Sequence, residues 1–117
     1  MLAIANIAIP VSDQARAKEF YLRIGFEILA EEQMKDNTRW IQMGLPGAQT
    51  SISLVTWFKS MQPGAMQGVV LVTDDIRSEF ASLKGQGLNI SELTETKNGM
   101  FFTIKDPDGN SISVQQH

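Results

Sequence analysis

The chain contains no cysteine and a single histidine, His117, which is its last residue. The first absence excludes disulfides, zinc–thiolate centres and thiol catalysis. The second removes the imidazole that a Ser-His-Asp or Cys-His constellation needs, because a terminal histidine frays. No run approaches the ~18 apolar residues of a membrane span, and MLAIANIAIP lacks the basic flank and cleavage site of a signal peptide. Lys and Arg number 10 against 13 Asp and Glu, a net charge of -3. These charges are spread along the chain, so no clustered basic footprint for nucleic acid is present. A soluble cytoplasmic protein without nucleic-acid or membrane partners is the expectation.

What remains is ordinary globular composition, 43% apolar and 20% charged over 117 residues. That length suits one domain, 1–117, with one core. Ile4 to Val11 is a short apolar run that ends in Ser12-Asp13, a helix N-cap signal. Ala17, Phe20, Tyr21 and Ile24 then fall at i, i+3, i+4 and i+7, one helical face, and Gly25 stops the helix. Phe26 to Ala30, Arg39 to Met43 and Ser51 to Trp57 read as strands, separated by the polar stretch Glu31 to Thr38 and the turn Leu45 to Ala48.

The same order then begins again. Val69 to Val72 is apolar, Thr73-Asp74-Asp75 supplies the cap, and Ile76, Phe80 and Leu83 form a helical face ended by Gly85 and Gly87. Leu88 to Ser91, Met100 to Lys105 and Ser111 to Gln115 read as strands, the last two joined by the dense turn signal Asp106-Pro107-Asp108-Gly109-Asn110. Asp13 and Asp75 are 62 positions apart, as are Gly25 and Gly87. Ile52-Ser53-Leu54 matches Ile112-Ser113-Val114 at an offset of 60, a drop attributed to a shorter second turn. The chain is therefore a duplicated βαβββ unit. Module 1 spans about 1–58, module 2 about 68–117, and the Pro63-Gly64 stretch, about 59–67, links them. A βαββαβ ferredoxin-like pattern is the competing reading, but it leaves the third strand of each unit unexplained.

The segments IAIPVSD with FYLRIGF, VVLVTDDI with LKGQGL, and FFTIKDPDGNSISV resemble the vicinal oxygen chelate superfamily, that of glyoxalase and bleomycin-resistance proteins. The similarity runs essentially the full length. It implies an α+β fold in which tandem βαβββ modules form a curled mixed sheet around a cavity, commonly in a homodimer. It also implies a divalent metal in many members, held at four strand positions. Those positions correspond here to Asn6, Ser53, Gly68 and Ser113. None supplies the imidazole, carboxylate or thiolate that a transition metal needs. No metal and no other cofactor is expected.

Most carboxylates have a structural explanation. Asp74 and Asp75 suit a helix start, and Asp106 and Asp108 suit a turn. Glu27, in a strand, is the main exception. Asn6, Ser53 and Ser113 occupy positions whose side chains would enter the cavity, where they could hold a ligand by hydrogen bonds or be remnants of a lost site, satisfied by waters or neighbours. The aromatic and thioether residues Trp40, Trp57, Phe58, Met66, Phe101 and Phe102, with others, could build an adaptable apolar wall or fill the core. Phe101 and Phe102 must face opposite ways in a regular strand. Arg39 could pair a ligand carboxylate or a surface Glu. The cavity candidates are thus Asn6, Arg39, Trp40, Ser53, Trp57, Phe102 and Ser113. The leading expectation is a metal-independent binding protein, a homodimer holding a small, partly apolar molecule. The alternative is a lyase, dioxygenase or isomerase with a non-standard site.

Overall fold

A computed structural model describes the whole chain, Met1–His117. Its elements are β1 (Asn6–Pro10), α1 (Gln14–Arg23), β2 (Glu27–Gln33), β3 (Arg39–Gly44) and β4 (Ser51–Val55), followed by β5 (Val69–Val72), α2 (Ile76–Gly85), β6 (Asn89–Ile90), β7 (Thr94–Thr96), β8 (Gly99–Lys105) and β9 (Ser111–Gln116). The fold is α+β. No helix is long and apolar enough to cross a membrane.

Two sheets result, one per module. Sheet 1 has the order β1-β4-β3-β2, and sheet 2 the order β5-β9-β8-β6 with β7 also on β8. In each, the first strand runs parallel to the last (β1 with β4, β5 with β9) and the other pairs are antiparallel. The parallel pairing follows from the intervening helix, which returns the chain to the same end of the sheet. Within one chain the two sheets share no hydrogen-bonded strand pair, so the sheet is not continuous across the modules.

Both helices start and stop as their sequences dictate. The Asp13 carboxylate accepts from Arg16 N at 3.1 Å and the Asp75 carboxylate from Ser78 N at 3.2 Å. Past each helix end stands a glycine in the left-handed region, Gly25 at φ 114° and Gly87 at φ 73°, where a side chain would be strained. The two-residue shortening of the second module is divided between both turns rather than confined to one. Met43 pairs with Ile52 and Ile104 with Ile112, so these equivalent pairs are 61 and 60 positions apart. The second strand of module 2 is broken into β6 and β7. Between them the Ser91 hydroxyl accepts from Thr103 N at 2.8 Å and leaves the ladder irregular.

One core joins both modules. α1 turns Ala17, Phe20 and Tyr21 onto Ile9, Ile41, Met43, Ile52 and Leu54 of sheet 1, while α2 turns Ile76 and Leu83 onto Phe102, Ile104, Ile112 and Val114 of sheet 2. Gln14, a buried polar residue, bonds through its amide to Arg39 O at 2.7 Å, Leu54 O at 2.8 Å and Arg39 N at 3.0 Å, tying α1 to β3 and β4.

The modules are joined by the Asp106–Asn110 turn. The Asp106 carboxylate, 4% exposed, accepts from Tyr21 Oη at 2.9 Å, Asn110 Nδ2 at 2.7 Å and the backbone N–H groups of Asp108 and Asn110. Asn110 Nδ2 also donates to Pro10 O at 2.8 Å, and Asn110 Oδ1 accepts from Met66 N at 3.0 Å. The Asp108 carboxylate accepts from the backbone and hydroxyl of Ser12. Gly64, at φ 89°, passes so close that a Cβ would lie 2.2 Å from Asp108 O. A turn legible in the sequence as a hairpin is therefore also the clasp between the two repeats.

Tyr21 is the only tyrosine. Burial first, and the Asp106 charge second, push its phenol well above the usual tyrosine range. An unfolded tyrosine ionises near pH ~10. Above that pH the unfolded chain releases a proton that the folded chain keeps, so stability is fully present below pH ~10 and falls as pH rises further. Tyrosinate absorbance is expected to appear together with loss of secondary structure on alkaline titration. Its appearance in the still-folded protein would contradict this assignment.

Candidate functional site

Strand alternation divides each sheet into a helix-side face and an outer face. On sheet 1, Ile9, Ile41, Met43, Ile52 and Leu54 take the helix side, which sends Asn6 and Ala8 of β1, Ser51 and Ser53 of β4, and Trp40 and Gln42 of β3 outward. The outward polar residues form a closed cluster. Asn6 Nδ2 and Gln42 Nε2 each donate to Ser51 Oγ at 2.9 Å, Ser51 Oγ donates to Ala5 O, and Ser53 Oγ donates to Asn6 Oδ1 at 2.8 Å. Beside them the rings of Trp40 and Trp57 lie 6.4 Å apart, tilted by 32°, and Phe58 extends the row at 6.2 Å from Trp57. Both tryptophans are half-buried. No buried side-chain nitrogen or oxygen lacks a partner anywhere in the chain. The Gln42 carbonyl oxygen and both indole N–H groups, which bond to nothing inside the chain, are therefore accessible.

On sheet 2, Phe102, Ile104, Ile112 and Val114 take the helix side. Phe101, Thr103, Ser113, Gln115, Val70 and Val72 take the outer face. In register, Phe101, Gln115 and Val72 form one row across that face, and Thr103, Ser113 and Val70 the next.

The expected site residues thus separate. Asn6, Trp40, Ser53 and Trp57 gather on sheet 1. Ser113 lies on the outer face of sheet 2, and Gly68, at φ 86°, precedes β5. Two residues face elsewhere. Phe102, fully buried, packs edge-on against Phe80 at 5.4 Å and belongs to the core, so its neighbour Phe101 is the one that reaches the outer face. Arg39 sits one residue before Trp40 and so turns to the helix side. Its Nε donates to Glu31 at 2.9 Å, and Lys18 of α1 binds the same carboxylate at 3.1 Å. Hydrogen bonding from Lys18 is the main reason that the Glu31 carboxyl is held below its usual range. Glu27 is exposed and pairs with Gly44. Gln42 and Ser51 were missed by sequence reasoning. Alternation relative to Trp40 and Ser53 would have placed both on the same face.

The four positions at which the resemblance implies metal ligands do not suit a transition metal. Asn6 and Ser53 bond to each other, Gly68 has no side chain, and Ser113 is a hydroxyl on the other sheet. No three His, Cys, Asp or Glu side chains converge anywhere in the chain.

A two-module βαβββ fold with these strand positions defines a class, and comparison with known proteins identifies it. Residues 3–114 match the model of the Glyoxalase/Bleomycin resistance protein/Dioxygenase superfamily, and the chain belongs to that family. It is 32% identical to the uncharacterized protein YetH of Bacillus subtilis (strain 168), over 97% of both chains. Among solved structures it is similar to TnmS3, an antibiotic binding protein from Streptomyces sp. CB03234, with 38% identity, a TM-score of 0.92 and coverage of 99% of this chain and 96% of that one. A superfamily member from Sphaerobacter thermophilus DSM 20745 is 28% identical with a TM-score of 0.89, covering 100% of this chain and 98% of that one.

Proposed function

We propose that the protein binds a small, partly apolar molecule without a metal, as a cytoplasmic homodimer, and that sequestration of a toxic compound is its physiological use. The observation that carries this reading is the outer face of sheet 1. Where the family holds metal ligands, Asn6 and Ser53 satisfy each other, and the adjoining surface is two half-buried tryptophans with accessible indole N–H groups. Such a surface offers apolar contact and a few directional hydrogen bonds, the composition of a ligand site rather than of a Lewis-acid centre. The 38% identity to an antibiotic binding protein supports the same reading. The one carboxylate opposite Trp40 in register is that of Glu32, which is exposed on β2, and no cysteine or histidine stands with it.

The test is a thermal-shift screen of chelator-stripped protein, first against Ni, Co, Zn, Mn, Fe(II) and Mg, then against a panel of small aromatic and amphipathic compounds. A ligand at ~100 times its dissociation constant stabilises by roughly 2.7 kcal/mol, several degrees at this chain length. Shifts with compounds and none with metals are expected. A selective metal shift, or a turnover that a chelator abolishes, would overturn the proposal.

A further inference from the structure

Five asparagines stand in the chain, and only Asn98 precedes a glycine. Asn6 holds Ser51 and Ser53 through its amide, and Asn110 is fully buried with both ends of its amide engaged. Asn37 and Asn89 are exposed, but Thr38 and Ile90 follow them, and a β-branched side chain crowds its own backbone nitrogen. Asn98 differs from all four. It is exposed, in the two-residue turn Lys97-Asn98 that joins β7 to β8. Its backbone N–H donates to Thr96 Oγ1 at 3.2 Å, and its side-chain amide bonds to nothing in the chain.

An asparagine side chain is attacked by the backbone nitrogen of the next residue when that nitrogen is unobstructed and the amide carbon can turn toward it. Glycine has no Cβ to block the approach. The hairpin cannot dispense with this glycine. Gly99 stands at φ 128°, and a Cβ there would lie 2.1 Å from Gln116 O. The close approach of β8 to the end of β9 thus demands the one residue type that leaves Asn98 open. The turn also opens readily. Thr96 and Gly99 are the last pair of their ladder, and β7 is three exposed residues paired to β8 alone. The end of so short and exposed a ladder frays at little cost, which frees the Gly99 nitrogen and lets the Asn98 side chain rotate onto it.

We propose that Asn98 is a site of spontaneous deamidation. The Gly99 nitrogen bonds to Asn98 Cγ, the Cγ–Nδ2 bond breaks, and ammonia leaves with the proton of the Gly99 N–H. The product is a five-membered succinimide. Water then adds to one of its two carbonyl carbons. Breaking the new Cγ–N bond gives an α-linked aspartate, and breaking the original backbone C–N bond gives isoaspartate, whose main chain runs through Cβ and Cγ. Nothing is oxidised or reduced. Either product adds one negative charge to the chain's -3. Isoaspartate also lengthens the turn by one carbon, where Thr96 Oγ1 donates to Gly99 O at 3.0 Å and Gly99 abuts β9. The altered hairpin lies two residues from Phe101 on the outer face of sheet 2.

The experiment incubates the purified full chain in mildly alkaline buffer beside a synthetic peptide spanning Leu93–Phe102. Ion-exchange chromatography is expected to show first-order conversion of the chain to a more acidic form, at a rate within about tenfold of the peptide's. Peptide mapping should place the gain of one mass unit at residue 98. Methyl transfer from S-adenosylmethionine by a protein isoaspartyl methyltransferase then measures the isoaspartate fraction. Asn98→Ser removes the reacting amide, which supports no bond in the fold, so this variant should keep the wild-type circular dichroism and lose the conversion. A folded chain that reacts more than about tenfold slower than the peptide would overturn the proposal, because the hairpin would then hold the Gly99 nitrogen out of reach. Conversion that maps to another asparagine, or persists in Asn98→Ser, would overturn it as well.

Discussion

Asn110→Ala is expected to cost roughly 3–5 kcal/mol, an estimate built from ~1–3 kcal/mol for a buried polar group left without a partner and ~0.5–1.5 kcal/mol for each further bond lost. Met66 N loses its partner, Asn110 Oδ1. Pro10 O is left with Gly64 N at 3.4 Å, and the Asp106 carboxylate keeps Tyr21 Oη and the backbone N–H groups of residues 108 and 110. Asn110 is itself fully buried, so water does not replace these bonds without opening the joint. At this chain length the loss corresponds to a melting temperature lower by on the order of 15 °C. Asn110→Asp should be worse, because it removes both donors and sets a second carboxylate against Asp106. Ser12→Ala is the contrast. It removes exposed bonds to Asp108 from the same joint, and exposed charge-linked contacts contribute ~1 kcal/mol or less. Urea or thermal melts of the three variants measure the differences. An Asn110→Ala protein that melts within about 2 °C of the wild type would mean that the joint does not hold the modules together.

The sequence made the repeat legible because its markers are backbone requirements. Asp13 and Asp75 cap helices and Gly25 and Gly87 take positive φ, and few other residues serve at those places. Strand content was legible for the same kind of reason, since Val69 to Val72 and Ser111 onward carry alternation or apolar runs bounded by turn residues. Facing was less legible. Phe102 entered the cavity list because aromatics suit both a core and a pocket, and only the register with Ile104 and Val114 places it on the helix side. Arg39 shows the complementary case. Its neighbour Trp40 points outward, so alternation turns Arg39 toward Glu31. The second role of the DPDGN turn was invisible, because nothing local to a hairpin signal says that its Asp and Asn side chains also reach Tyr21 and Pro10 in the other module.

Trp40→Ala and Trp57→Ala are each expected to weaken any compound found in the screen by roughly 10- to 100-fold, the ~1.4–2.8 kcal/mol range of a buried aromatic contact at a binding surface. The two rings form one surface, so the double variant should lose less than the sum of the singles. Trp40→Phe keeps apolar contact and removes the indole N–H, which separates stacking from hydrogen bonding. A small loss there assigns the affinity to the ring face. Gln42→Ala tests the accessible carbonyl oxygen in the same way, although it also releases Ser51 Oγ from one donor. The chain holds only these two tryptophans, so its whole indole emission comes from the proposed site and a bound aromatic ligand should change its intensity or wavelength. Melting curves check that each variant remains folded at the titration temperature. A compound that stabilises the wild type yet binds both alanine variants with unchanged Kd, and leaves the emission unmoved, would place its site away from this face. Loss confined to the tryptophan variants, with Arg39→Ala and Phe101→Ala compared in parallel, would separate the faces. Arg39 on the helix side of sheet 1 and Phe101 on sheet 2 should not matter to affinity.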